Sequence, residues 1–268
     1  MQGDLPSTQK ESWSNSNAYD LYVGRWSRLI GVDFVKWLNP HPHRRWLEAG
    51  CGTGSLTSGI VGAALPAELL AIDKSEAYLA KAREQIDSPL VSFSKTDVAD
   101  LNMPAAFDYI TSGLVLNFLP DVESTFARMV ENLKPGGSIS AFVWDYAGHY
   151  QPMRMFWDCA RDVHRDAATF DAGIKYTLCS ESNLTALFKG MDLSNIRFTT
   201  IERIATFRDF DDYWLPIASA QGSVTEFLAI LTASEKNALR ELLNKRLPMA
   251  LNGEIKLIVT ALAIEGTK

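Results

Sequence analysis

The chain has 268 residues, of which 47% are hydrophobic and 22% charged, with a net charge of −6 at neutral pH. That length carries one large domain with room for insertions, and the acidic balance excludes a general nucleic-acid binder, which shows a basic face. The cysteines Cys51, Cys159 and Cys179 share no metal-ligand spacing, so a reduced, cytoplasmic protein with free thiols and no metal is expected. The N-terminus has no basic region followed by an apolar core, and no apolar run reaches membrane-spanning length.

In chain order, a polar start rich in Ser and Asn precedes apolar positions Tyr22, Trp26, Ile30, Phe34 and Leu38 at helical spacing. This predicts a helix over residues 17–39, with Asn15 or Ser16 as its cap, ending before Asn39-Pro40. Arg45 to Ala49 reads as a buried strand. Gly50-Cys51-Gly52-Thr53-Gly54 follows as a glycine turn, then a helix from Thr53. Leu69 to Asp73 is a second strand, and Ser75 caps the next helix. Val91 to Asp97, Phe107 to Gly113 and Ser138 to Trp144 are three more, the last two separated by an amphipathic helix opened by Pro120-Asp121. Strands alternating with helices predict a parallel sheet covered on both faces, a Rossmann-like doubly wound α/β fold.

The rhythm changes after Trp144. Residues 145–180 form a long connection rich in aromatics, Arg and His, and residues 208–250 hold short helices, one opened by the capping box Thr232-Ala233-Ser234-Glu235. A helix from Ser182 and strands over Ile196–Thr206 and Ile255–Ile264 complete a mostly parallel seven-stranded sheet. One domain over residues 1–268 is expected, with the two insertions packed together as a cap for a substrate.

The strand ends carry the chemistry. Ligands of such sheets bind beyond the carboxyl ends at the switch in strand order. Glu48, Asp73 and Asp97 stand there one β-α unit apart, followed by Ser112-Gly113-Leu114 after the fourth strand. Each acid alone caps a helix as readily as it binds a ligand. The glycine spacing is G-x-G-x-G with an acid two residues ahead, not the G-x-G-x-x-G of dinucleotide folds.

Residues 44–144 with these motifs resemble the class I S-adenosylmethionine (SAM) methyltransferases, most of all the UbiE-like and small-molecule branch. The resemblance implies that Gly50, Cys51, Gly52, Thr53 and Gly54 hold the methionine part of SAM, with Glu48 on its ammonium. It implies Asp73 on the ribose, with Lys74 beside it, and Thr96, Asp97 and Val98 on the adenine. Ser112, Gly113 and Leu114 complete the cofactor side, and S-adenosyl-L-homocysteine is the product. A leading helix closes over the cofactor in similar enzymes, which puts Tyr22 or Arg25 on the methionine part. The Asn/Asp-Pro-Pro-Tyr motif of nucleic-acid amino-methylating enzymes is absent, so a small organic acceptor is expected, on a monomer or homodimer with neither nucleic acid nor membrane as partner. His149 is the candidate general base and Tyr146 a second catalytic candidate, because both follow the fifth strand. Arg154 and Arg161 offer charge to an acidic substrate. A nicotinamide oxidoreductase and a non-catalytic SAM-binding module are the alternatives.

Overall fold

The computed structural model describes residues 24–219 and 222–268. The first described helix, α1 (Arg25–Leu38), turns Trp26, Ile30, Phe34 and Leu38 inward and ends on a left-handed Asn39. Residues 17–23 of the expected helix, and its cap at Asn15 or Ser16, lie outside the described residues. Strand β1 (Arg45–Ala49) leads through the glycine turn into α2 (Ser55–Ala63), and β2 (Glu68–Asp73) into α3 (Glu76–Gln85). Ser75 caps α3 as expected, accepting the Tyr78 N–H. Strand β3 (Val91–Lys95) is followed by a 3-10 turn at Val98–Asp100, and β4 (Phe107–Gly113) by another at Leu116–Phe118.

Helix α4 (Val122–Asn132) buries Phe126 and Met129 and is capped by Asp121, which accepts the Ser124 N–H at 3.0 Å. β5 (Leu133–Trp144) follows without a break. The connection after it contains a 13-residue helix, α5 (Gln151–Val163), where the sequence reading placed only a long connection. Pro152 occupies its first turn, where a missing N–H costs nothing, and Met153, Phe156, Trp157 and Ala160 are buried. Truncating Phe156 or Trp157 removes a large core side chain, a loss of roughly 3–5 kcal/mol. Short helices α6 (Ala167–Phe170) and α7 (Ala172–Lys175) precede α8 (Glu181–Lys189) and β6 (Ser194–Phe207). Then come α9 (Phe210–Ser219), α10 (Ser223–Ile230), α11 (Ala233–Arg246) and β7 (Ile255–Thr267). The capping box of α11 forms, Thr232 and Glu235 each accepting the other's backbone N–H.

The seven strands lie in the order β3-β2-β1-β4-β5-β7-β6. β1 to β5 pair in parallel, and β7 runs antiparallel to both neighbours. This is the Rossmann-like, mostly parallel doubly wound sheet. One face is covered by α1, α2 and the helices of the two insertions. Their buried side chains, among them Trp26, Ile60, Trp157, Phe227 and Leu243, form one continuous core. The other face is covered by α4 and α8, through Phe126 and Phe188. Helices α1 and α2 cross closely: a Cβ on Gly59 would sit 3.2 Å from the Gly31 backbone. The strand order reverses between β1 and β4, which opens the crevice used by ligands of such folds.

Candidate functional site

All three glycines of the turn are left-handed, Gly50 at φ +76°, Gly52 at +54° and Gly54 at +92°. An L side chain is strained there, so glycine is required by the backbone itself. Gly50 is also crowded: a Cβ there would lie 2.5 Å from Val115 Cγ2, whereas one on Gly52 meets nothing within 4 Å. The N–H groups of Gly50, Cys51, Gly52 and Gly54 are spent internally. Those of Gly50 and Cys51 donate to the Ile72 carbonyl at 2.8 and 2.9 Å, and that of Gly54 to the Cys51 carbonyl at 2.9 Å. Gly52 N–H donates to Asp73 Oδ2 at 2.9 Å.

Two carboxyls flank this turn. Glu48 is fully buried at the end of β1 and accepts the Thr57 hydroxyl from α2 at 2.7 Å. Burial pushes its pKa up to about 8, and the neighbouring Asp73 charge adds to the rise, against the Thr57 hydrogen bond. Asp73 receives Gly52 N–H on one oxygen and Ser75 N–H, at 2.8 Å, on the other. Burial raises its pKa too, opposed by those two N–H donors. The same two acids, added to burial, raise the Cys51 thiol. The turn therefore carries acidic groups and few open donors. It suits a cation and not the pyrophosphate of a dinucleotide, which needs free N–H groups.

The next strand ends are arranged differently from one another. Thr96 N–H donates to the Asp73 carbonyl at 3.0 Å, and its hydroxyl meets Ser94 at 2.9 Å. Asp97 is exposed and caps the 3-10 turn by accepting Ala99 N–H at 3.0 Å. Val98 is buried and Lys74 exposed. Ser112, expected at the cofactor, turns its hydroxyl into the sheet instead, where it donates to the Ala49 carbonyl at 3.0 Å and is buried. Gly113 is needed for space, since a Cβ would lie 2.7 Å from the Phe142 ring. Leu114 has φ +61°, held by its N–H donating to the Phe142 carbonyl at 2.8 Å. Such strain in a non-glycine residue collects at functional sites, and nothing in the sequence announces it.

Beyond β5, Asp145 caps its own turn by accepting the Gly148 and His149 N–H groups at 2.9 and 2.8 Å. His149 is 74% exposed, with Nδ1 3.4 Å from Asp145 Oδ2. It stands on the rim. Tyr146 is half-buried and meets Tyr176 at 5.6 Å, and Tyr176 meets Phe118, after β4, edge-on at 5.1 Å. Gly173 of α7 fits against the Tyr146 carbonyl, where a Cβ would come within 2.8 Å. Tyr176 and Phe118 were not among the sequence candidates, because only the fold brings 118, 146 and 176 together.

Three arginines are committed elsewhere. Arg25 pairs with Asp212 at 3.3 Å and donates to the Thr206 carbonyl at 3.2 Å, at the end of β6. β6 is separated from β1 by β4, β5 and β7, so Arg25 joins α1 to α9 rather than turning to the glycine turn. Tyr22 lies outside the described residues. Arg154 and Arg161, expected to face an acidic substrate, both pair with the fully buried Asp171, because a buried carboxylate requires charged partners. Among the described residues no group of His, Cys, Asp and Glu is placed to hold a metal.

Residues 47–137 match the family model described as a methyltransferase domain. The chain is 35% identical over 111 residues to trans-aconitate 2-methyltransferase of Deinococcus radiodurans, covering 40% of this chain and 42% of that enzyme. It is 23% identical to malonyl-[acyl-carrier protein] O-methyltransferase of Acetivibrio thermocellus, over 70% of this chain and 67% of that one. The matches to the trans-aconitate enzymes span well under half of those relatives. In fold, it is similar to Haemonchus contortus phosphoethanolamine N-methyltransferase 2, solved with S-adenosylhomocysteine and phosphomonomethylethanolamine. That likeness has a TM-score of 0.59 at 15% identity, over 94% of this chain and 56% of that one. The strand order, the acid-flanked G-x-G-x-G turn and these likenesses together make residues 47–137 a methyltransferase domain, on a fold shared with solved methyltransferases.

Proposed function

We propose that the protein transfers the methyl group of SAM to a small organic acid, methylating a carboxylate oxygen. The observation that carries the donor half is the glycine turn with its N–H groups spent and Glu48 and Asp73 beside it. That environment receives a cationic amino acid and a ribose; it rejects a pyrophosphate, and with it the nicotinamide alternative. Glu48 would hold the ammonium, Asp73 the ribose hydroxyls through the lone pairs its two N–H bonds leave, and Asp97 the adenine amino group. Two of the relatives, trans-aconitate 2-methyltransferase and malonyl-[acyl-carrier protein] O-methyltransferase, are named for acceptors with carboxylates, which supports that acceptor class here.

When bound, SAM supplies a methyl group on a positively charged sulfur, which departs as a neutral thioether as the acceptor's lone pair forms the new bond. A carboxylate nucleophile is already ionised at neutral pH, so no proton moves and alignment in a water-excluding pocket is the protein's main work. His149 on the exposed rim is consistent with that economy. The elements after β4 and β5 and the helices of residues 145–180 and 208–250 form the acceptor side in this reading. The protein acts in this reading as a cytoplasmic monomer or homodimer; the acidic net charge speaks against a general nucleic-acid partner, and no helix of the described residues is long and apolar enough to cross a membrane.

The test is calorimetry with SAM, S-adenosylhomocysteine and NAD, followed by labelled-methyl transfer to a panel of carboxylic acids, hydroxy compounds and amines. SAM binding with base-labile methyl ester product is expected. NAD binding in place of SAM sinks the donor assignment, and label in amines alone sinks the acceptor class.

A further inference from the structure

The segment after β4 joins the two halves of the site. At its start, Val115 packs on Gly50, so tightly that a Cβ on Gly50 would be 2.5 Å from Val115 Cγ2. At its end, the Phe118 ring meets Tyr176 edge-on at 5.1 Å, and Tyr176 meets Tyr146 at 5.6 Å. Between them, in the 3-10 turn Leu116–Phe118, lies Asn117. Its side-chain Nδ2 is buried and has no hydrogen-bond partner among the described residues. Buried amide donors are almost always paired, so an unpaired one next to a ligand crevice calls for a partner that arrives with the ligand. The backbone places it there at a cost, since Leu114, three residues earlier, is held at φ +61°. In the same aromatic group, Lys175 Nζ stands 5.2 Å from the Tyr176 ring centroid.

We infer that Asn117 is the specificity-determining residue for the acceptor: its amide N–H donates to an acceptor carboxylate oxygen. The planar body of the acceptor packs on Phe118, Tyr146 and Tyr176. The inference rests on the methyltransferase reading above and deepens it. Asn117 lies two residues from the side chain that touches the glycine turn, so a carboxylate bound by it is held beside the methyl donor. One oxygen takes the amide N–H while the other stays free to attack. Lys175, beside the Tyr176 ring, contributes positive potential. An amide is better suited here than a guanidinium. It orients the carboxylate without the bidentate pairing that would occupy both oxygens and quench the nucleophile.

The experiment uses the full chain loaded with S-adenosylhomocysteine, with benzoate as the probe of a planar carboxylate and benzamide as its uncharged counterpart. Wild-type protein is compared with Asn117→Leu, which fills the same volume without a donor, and Asn117→Asp, which puts like charge against the probe. Saturable benzoate binding, stronger than benzamide, is expected in the wild type. Its affinity should fall at least about tenfold in Asn117→Leu, the scale of one hydrogen bond to a charged acceptor, and vanish in Asn117→Asp. S-adenosylhomocysteine affinity should stay within about twofold, and the melting temperature of Asn117→Leu should hold or rise, because an unmet donor has been removed. Equal benzoate binding by wild type and Asn117→Leu, or none by wild type, overturns the inference. A steep fall in melting temperature with Asn117→Leu does so too, since it makes the amide structural. Failure of the wild type to bind S-adenosylhomocysteine overturns the methyltransferase reading itself.

Discussion

The Thr57 hydroxyl donates to Glu48 Oε2 across 2.7 Å, joining the first turns of α2 to the end of β1 beneath the glycine turn. The acceptor is a carboxyl that burial holds protonated until about pH 8. Because the folded pKa is raised from 4.5, the folded state keeps a proton that the unfolded chain releases. The associated stability is fully present below pH 4.5 and is lost as pH rises through about 8. Its slope is at most about 1.4 kcal/mol per pH unit. Melting temperature measured from pH 5 to 8 should therefore fall more steeply in the wild type than in Glu48→Gln. A cationic ammonium arriving beside Glu48 should expel the proton. At pH 7 the calorimetric enthalpy of SAM binding then depends on buffer ionisation heat, and that dependence disappears in Glu48→Gln. Buffer-independent enthalpy in the wild type would remove Glu48 from the ammonium site.

Asp73 is held by two backbone N–H donors, from Gly52 and Ser75. Asp73→Asn keeps the size but can satisfy only one of them and presents an N–H to the other. Each unmet group costs about 1–3 kcal/mol. Weaker folding and a SAM affinity reduced by more than about tenfold are expected, both readable in one calorimetric series. Unchanged affinity would mean that the carboxylate serves the turn alone.

The three turn glycines separate steric from conformational demands. Gly50→Ala meets Val115 as well as a left-handed φ, while Gly52→Ala meets open space within 4 Å and strains the backbone only. The strain alone costs roughly 1–2 kcal/mol. Gly50→Ala should lose clearly more thermal stability than Gly52→Ala. Both should lose SAM binding, because in Gly52→Ala the added methyl group would occupy the crevice. Normal SAM binding by Gly52→Ala would show that the ligand does not approach there.

His149 tests whether a proton must move. Its ring is 74% exposed and its nearest acid is Asp145. For a carboxylate acceptor, His149→Ala should change the maximal rate by less than about threefold at every pH, against the roughly 10²- to 10⁴-fold expected of a lost general base. A loss on the larger scale, with the neutral limb of the pH profile gone, would return the acceptor to a protic nucleophile.

The sheet was legible because its signals are local. Apolar runs ending in Glu48, Asp73 and Asp97, and glycines at alternate positions, each state their own place. The capping residues Ser75, Asp121 and Thr232 were legible for the same reason. Helix α5 was obscured because aromatics and charges alternate along it and Pro152 sits in its first turn, so a 3.6-residue stripe reads as an irregular aromatic stretch. The roles of Ser112, Arg25, Arg154 and Arg161 depend on partners 10 to 187 residues away. No local pattern carries such a pairing. The left-handed Leu114 and the unmet amide of Asn117 are likewise properties of assembled backbone, invisible until β4 is set against β1 and β5.

The reversal of strand order at β1 and β4 is also a seam in how the molecule can be altered. The residues proposed to meet SAM on the β1, β2 and β3 side lie within 48–98, inside the matched stretch 47–137. The rings and the turn on the other side come chiefly from residues beyond 144. The short run Leu114–Phe118 touches both, Val115 packing on Gly50 and Phe118 on Tyr176. On the proposed reading, a grafted chain from residue 145 onward would bring a new acceptor preference to an unchanged donor site, provided that this run is exchanged with it. Chimeras cut at residue 138 would separate the run from the aromatic wall it was shaped for. Chimeras cut at residue 113 would carry both across together, and retargeting of this scaffold should succeed at the second boundary and fail at the first.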